Sequence, residues 1–253
     1  MTISLKKLIS YLDHYLQAST IQDYCPNGLQ IEGCSDVSKI IGGVTASQAL
    51  IDYAISSKAD AILVHHGFFW KGEDQAITGI KKKRIQSLLQ HNISLIAYHL
   101  PLDVHPVLGN NVQLAKLLGL NITGPLDPSA KLSVGIATQL DTPLTAKAFK
   151  SLVSERLGRD CFHIGEESKL IQKIGLCTGA AQGMIEQAVS LELDAYLSGE
   201  ISEPTVHIAN ETGVNYFSAG HHATERGGVM ALGEHLKDQF KINFEFKDIY
   251  NPV

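Results

Sequence analysis

Two adjacent histidines, His65 and His66, close the apolar run "LVHHG", and three more close other strand-like segments: His99 in "AYHLPLD", His221 and His222 in "SAGHHATE". A carboxylate follows four residues after His99 and four after His221, as Asp103 and Glu225. Imidazole with carboxylate suits divalent zinc, iron, nickel or manganese. A single histidine at a strand end is ordinarily a satisfied polar cap, and a lone Asp103 or Glu225 could cap the helix that follows it. Several such groups at one crevice are another matter, because burying them is costly unless something binds them. Neighbours on a strand leave it on diverging vectors, so His65 and His66 suit two adjacent coordination spheres better than one. With Asp103, His221 and Glu225 they make five candidate ligands. That is enough for two open metal sites about 3.5–4 Å apart, with Glu225 bridging, as in dinuclear hydrolases.

Three further residues stand near these ligands. His99 reads either as a ligand or as support for one, since ligands need oriented neighbours. His222 reads as a cap or as a substrate contact. Glu200, in "YLSGE", has either lost a ligand role or meets substrate. "CPNGLQIEG" carries Pro-Asn-Gly turn chemistry whose side chains could border the crevice, and Lys81 to Arg84 read as a solvated helix face.

Such groups must be positioned by strands, and the chain supplies them twice. "KIIGGVTASQALIDYAISSKADAILV" (39–64) aligns without gaps on "KIGLCTGAAQGMIEQAVSLELDAYLS" (173–198), with 10 of 26 positions identical. Each copy reads strand, helix, strand, a right-handed βαβ unit whose continuous apolar strands suit a parallel sheet. Downstream, "NISLIAYHLPLD" is set over "VNYFSAGHHATE" at a shift of 122, placing His99 on His221 and Asp103 on Glu225. The helix "NNVQLAKLLGL" follows the first and "GGVMALGEHLKDQF" the second. Upstream, "SLKKLISYLDHYL" corresponds to "DTPLTAKAFKSLVSERLG". The fold expected is α/β: two similar tandem domains arising by internal duplication, with the metal site in the cleft between them. Glycine and prolines in "GPLDPSAK" (124–131) break the pattern, placing the domains at 1–126 and 127–253. The closing "KINFEFKDIY" alternates like an added antiparallel strand. Ligands of open α/β sheets lie beyond the carboxyl ends of the strands, where these histidines fall.

Bulk properties narrow the classes. With 253 residues, 44% hydrophobic and 19% charged, the composition is that of a folded protein. A net charge of −5 gives no general attraction to nucleic acid or anionic lipid. The N-terminus is an amphipathic helix rather than a signal sequence, and no apolar segment has membrane-spanning length. Four scattered cysteines without a CxxC pair fit a reduced, cytoplasmic protein. No P-loop, dinucleotide-binding glycine motif or G-x-S-x-G elbow is present.

At "PNGLQIEG", "LVHHGFFW", "AYHLPLD" and "SAGHHATER" the sequence resembles one family along essentially its whole length: the GTP cyclohydrolase I type 2 homologs, also called NIF-three-like proteins. The resemblance implies two related α/β domains with two divalent metal ions per chain on His65, His66, Asp103, His221 and Glu225. It implies ring-like homohexamers, trimers of dimers, with the sites facing an internal cavity. It also implies a small-molecule substrate, GTP: water adds at C8 of the guanine, the ring opens, and formate leaves dihydroneopterin triphosphate. His99, His222 and Glu200 are then candidates for moving protons. Two other readings fit the same ligands: a dinuclear phosphoesterase, and a ring-forming metal-binding or regulatory protein without turnover. Toroidal nucleic-acid binding is disfavoured by the acidic charge.

Overall fold

The duplication is visible in the hydrogen-bond register of two separate sheets. A computed structural model describes all 253 residues. In chain order the elements of the first half are β1 (Ile3–Ser4), α1 (Leu5–Tyr15), β2 (Gly28–Ile31), β3 (Asp36–Val37), β4 (Lys39–Thr45), α2 (Gln48–Ser56), β5 (Ala61–His66), α3 (Gly79–Gln90), β6 (Ser94–Ala97) and α4 (Leu100–Val104). Then come α5 (Asn110–Leu118), β7 (Asn121–Pro125), β8 (Ile136–Thr145), α6 (Ala146–Leu157), β9 (Phe162–Ile164), β10 (Leu170–Cys177), α7 (Ile185–Ser190), β11 (Ala195–Ser198), α8 (Glu203–Thr212), β12 (Asn215–Ser218) and α9 (His221–Thr224). The chain closes with α10 (Arg226–Phe240) and β13 (Asn243–Phe246).

One sheet has the order β13-β4-β5-β6-β2 and the other β7-β8-β10-β11-β12-β9. Ile40 pairs with Ala61 in the first and Ile174 with Ala195 in the second, both displaced by 134 residues. The helix connections make β4, β5 and β6 parallel, as they make β10, β11 and β12 parallel. Even the brace at the start of each βαβ unit is repeated. The Asp60 carboxylate accepts the N–H groups of Ser38 and Lys39, and that of Asp194 accepts those of Gln172 and Lys173.

Both faces of each sheet are covered, which is why the strands read as unbroken apolar runs. In the first unit Ile40, Leu63 and Ile96 pack under α1 and α10, while Ile41, Ile62 and Val64 pack under α2 and α3. In the second, Ile174, Leu176 and Leu197 pack with α5 and α6, while Tyr196 and Tyr216 pack with α7 and α8. Side chains of Ser4, Ser47 and Thr145 accept a backbone N–H at the starts of α1, α2 and α6. The four cysteines are free thiols, and no helix is long and apolar enough to cross a membrane.

Three expectations are corrected. The compact units are not 1–126 and 127–253: one comprises 1–108 with 228–250, the other 109–227 with 251–253. The glycine and proline signals near 124–131 belong to the connection between the antiparallel partners β7 and β8, not to a linker. The helices after the two central strands are exchanged. Leu114, Ala115 and Leu118 of α5 enter the second unit's core, and Val229, Leu232 and Leu236 of α10 enter the first's. Finally, β13 joins β4 in parallel rather than antiparallel. Its alternation is real, with Phe244 filling hollows left by Gly42 and Gly233, but direction is set by the helix that delivers the strand.

The register also refines the downstream alignment. Ala61 pairs with Ser94 and its counterpart Ala195 with Asn215, a shift of 121 rather than 122. Loop bonds agree: Tyr98 N–H donates to Val64 and Ala219 N–H to Ser198. The structural counterpart of His99 is therefore Gly220, and that of Asp103 is Thr224.

Candidate metal centre

In the first unit, β5 delivers His65 fully buried and His66 half-buried, their ring centroids 4.6 Å apart. The two rings are held from opposite sides of the strand. His65 Nδ1–H donates to the Tyr98 carbonyl, 3.0 Å away beyond β6, and His66 Nδ1 lies 3.1 Å from the Thr45 hydroxyl at the end of β4. A carbonyl only accepts, so neutral His65 carries its proton on Nδ1 and its lone pair on Nε2. Buried Asp103 on α4 places Oδ1 3.4 Å from that Nε2.

His99 stands beside this pair, 4.9 Å from the His65 ring and 5.8 Å from that of His66. One nitrogen from each of the three rings lies within 4.8 Å of the others. Asp23 fixes His99: its Oδ1 lies 2.7 Å from Nδ1, and its Oδ2 accepts from Leu100 N–H and the Asn27 amide. Asn27 in turn accepts the His99 N–H at 2.7 Å. Burial alone would raise the Asp23 carboxyl, but the bonds from His99, Asn27 and Tyr24 N–H outweigh it and bring the pKa down to about 2. Cys25 falls in the same neighbourhood. Burial and the Asp23 charge push its thiol up to about 12, so it keeps its proton.

In the second unit, α9 places His221 one turn from Glu225, with Nε2 3.1 Å from Oε2. Glu200, after β11, accepts from His221 Nδ1 at 2.7 Å. Burial works against a charged His221, but the carboxylates of Glu225 and Glu200 prevail and carry its pKa up to about 9. The buried Glu225 carboxylate reaches this position because Gly179, in the left-handed region at φ +68°, has no side chain: a Cβ there would sit 2.1 Å from Oε1. Gly199, the counterpart of His65, is equally constrained, since a Cβ would meet the Gly179 oxygen and the His221 Cα at 2.7 Å. The second unit thus has no room for a histidine at that strand end and supplies one from the following helix instead. His222 is buried, with its N–H donating to the Val253 carbonyl, and belongs to none of these groupings.

The donor set fits divalent metal. His65 and His221 have Nδ1 committed to an oxygen acceptor and His66 has Nδ1 against a hydroxyl, so Nε2 is the atom by which each would hold a metal. Such bracing is what fixes tautomer and orientation in metal-binding histidines.

The profile of the Duf34/NIF3 family (NGG1p interacting factor 3) matches residues 3–252. The chain belongs to the Duf34/NIF3 family. It is 50% identical to the GTP cyclohydrolase 1 type 2 homolog of Pseudomonas aeruginosa over the whole of both chains. Against the protein of the same name from Pasteurella multocida it is 51% identical over 98% of each. Among solved structures, protein ybgI superposes with a TM-score of 0.94 at 43% identity, covering 99% of this chain and 100% of that one. TTHA1606 from Thermus thermophilus superposes with a TM-score of 0.89 at 31% identity and the same coverage. The fold read from the sequence, two similar α/β units, is therefore that of the Duf34/NIF3 family.

Several residues that build the Duf34/NIF3 site are not conspicuous as chemistry. Asp23, Asn27 and Gln30 lie in or beside the "CPNGLQ" turn and act as brackets. Gln30 accepts Phe68 N–H at 2.7 Å and donates to the Phe68 and Pro26 carbonyls. Thr45 and Gly179 occupy duplicated positions, one touching His66 and the other making room for Glu225. The signals available were the Pro-Asn-Gly turn of "CPNGLQIEG", for Asn27 and Gln30, and the glycine closing the apolar run "IGLCTG".

Proposed function

We propose that the chain is a metal-dependent hydrolase with two divalent ions, zinc, iron, manganese or nickel, held by His65, His66 and Asp103 of the first unit and His221 and Glu225 of the second. The observation that carries this reading is the braced set of three histidines, each presenting Nε2 beside a buried carboxylate or a second imidazole. Divalent ions would supply water ionised near neutral pH, its pKa lowered from 15.7 to about 7. The remaining chemistry belongs to the side chains. Asp103 and Glu225 supply negative charge that the buried imidazoles cannot. Glu200 holds the His221 ring, a positioning role in place of the substrate contact open to it from sequence. His99, its Nδ1 committed to Asp23, takes up or releases a proton at Nε2, a carboxylate–imidazole pair suited to general acid–base work. We assign proton transfer to His99 ahead of Glu200 and His222, because only its ring stands beside two ligand histidines with the far nitrogen braced.

The relatives' name supports GTP as substrate, with hydrolysis to dihydroneopterin triphosphate and formate, and we propose a cytoplasmic homohexamer as the working assembly. Elemental analysis tests the ligands: His65→Ala and His66→Ala should each leave about one metal per chain, and two retained in either refutes the assignment. Incubating the zinc, manganese, iron and nickel forms with GTP tests the reaction, with formate and a fluorescent pterin expected. Their absence with every metal removes GTP. Hydrolysis of generic phosphodiesters would then make the chain a phosphoesterase, and a metal-loaded ring on sizing without turnover a regulatory protein.

A further inference from the structure

We propose that Trp70 and Tyr24, in the first unit, form a stacking platform for a flat heteroaromatic ring whose polar edge meets His66 and His99. The Trp70 indole lies 5.9 Å from the His66 ring and 4.9 Å from that of His99, meeting the latter edge-on at 83°. Tyr24 approaches His99 at 6.5 Å, its ring tilted by 61°, yet the residue is 63% exposed. Large aromatic surface left half out of water beside a polar cluster is what a planar ligand covers.

The platform is built rather than incidental. Lys71 N–H donates to the Tyr24 carbonyl at 2.6 Å, tying the two aromatic loops together. Trp70 N–H donates to the Glu73 carboxylate at 3.2 Å. The Gln30 amide clasps Phe68 on both its N–H and its carbonyl. Between them Phe69 takes φ +66°, a left-handed conformation that a bulky side chain adopts only under constraint. This kink buries Phe68 in the core and turns Trp70 towards the histidines. Strain of this kind is retained where surrounding structure enforces it, and it clusters at ligand sites. His99, its Nδ1 held by Asp23, turns Nε2 to the platform's edge and so selects a heterocycle over a hydrocarbon, because an apolar guest would leave that nitrogen dry and unmatched.

This inference rests on the proposed metal-centre reading for the placement of the ring's reacting edge, while the stacking itself needs no bound metal. Trp70 is the only tryptophan in the chain, so tryptophan emission, excited at the red edge where the tyrosines do not absorb, reports on the platform alone. The 253-residue chain, metal-free and zinc-loaded, is titrated with guanosine monophosphate, adenosine monophosphate and ribose 5-phosphate. Saturable quenching by both nucleotides is expected, with none from the sugar phosphate. By calorimetry Trp70→Leu should weaken guanosine monophosphate binding roughly tenfold and Tyr24→Ala less, since stacking on one aromatic is worth about that much. Trp70→Phe should restore most of the affinity, and the metal content of all variants should match the parent. Unchanged affinity in Trp70→Leu, binding without a change in emission, an equal response to ribose 5-phosphate, or no binding of either nucleotide overturns the platform. The two readings separate cleanly. Nucleotide stacking without formate release from GTP removes the reaction and leaves the platform. Formate release by Trp70→Leu at unchanged KM removes the platform and leaves the reaction.

Discussion

Gly179→Ala isolates the contribution of one missing side chain to the proposed metal binding. The backbone at residue 179 sits at φ +68°, and an alanine Cβ would lie 2.1 Å from Glu225 Oε1 and 3.3 Å from His221 Nε2. Ordinary contact begins at 3.4 Å, so the carboxylate oxygen must retreat by the difference, about 1.3 Å. Ligand distances in metal sites tolerate about 0.2 Å, so Glu225 could no longer serve as the ligand proposed for it. Gly158 provides the control: φ is +70° and nothing lies within 4 Å of its Cβ position. Both substitutions should destabilise the second unit by about 1–2 kcal/mol, the cost of an L side chain in the left-handed region. Only Gly179→Ala should also lose metal. After equilibration with zinc and gel filtration, elemental analysis should show Gly158→Ala matching the parent and Gly179→Ala carrying about one ion fewer. Equal metal content in the two variants would refute the argument that Glu225 is a ligand placed by that glycine.

Three further outcomes are expected. Asp60→Ala should lower the urea midpoint of its unit more than Asp194→Ala does. Asp60 accepts from two backbone N–H groups and the Ser38 hydroxyl, whereas Asp194 accepts from two N–H groups; the extra bond is worth about 1 kcal/mol, and an equal or reversed order would refute that contribution of the Ser38 hydroxyl. In metal-free protein His221 has its pKa raised from 6.5 to about 9, so its contribution is full below pH 6.5 and fades as pH rises towards 9. Thermal melts across that range should show the decline, on the order of 3 kcal/mol at most, and Glu200→Gln should flatten it. Asp23, lowered from 3.8 to about 2, contributes above pH 3.8 and loses its effect as pH falls towards 2. Asp23→Asn should remove about 2 kcal/mol at neutral pH and none at the acid end, read from the same melts.

The sequence revealed the strands, the duplication and the residues that gather at strand ends, because burial on both faces leaves an unmistakable apolar run and ligand chemistry needs rare residue types together. What it hid is instructive. Two adjacent histidines, His221 and His222, drew the downstream alignment one residue out, whereas backbone pairing of Ser94 and Asn215 fixes it. An apolar stripe on α10 says that the helix covers something, not which sheet, so the exchange with α5 was invisible. Direction was likewise hidden in β13, whose Phe244 and Phe246 alternate in either orientation. Gln30 and Asn27 look like turn residues, since their role depends on partners 38 and 72 positions away.

The return of α10 and β13 to the opening unit has a consequence for synthesis. As the chain leaves the ribosome, the second sheet has every strand by Ser218, while the first still lacks its outer strand and α10. Until then β4 is an open edge, and Gly42 lacks the phenylalanine ring that packs against it, a surface liable to pair with other chains. Residues 243–246 are thus the obligatory last strand: a chain halted after α9 carries every strand of the second sheet attached to an adhesive, incomplete first one. The sheet begun first is completed last.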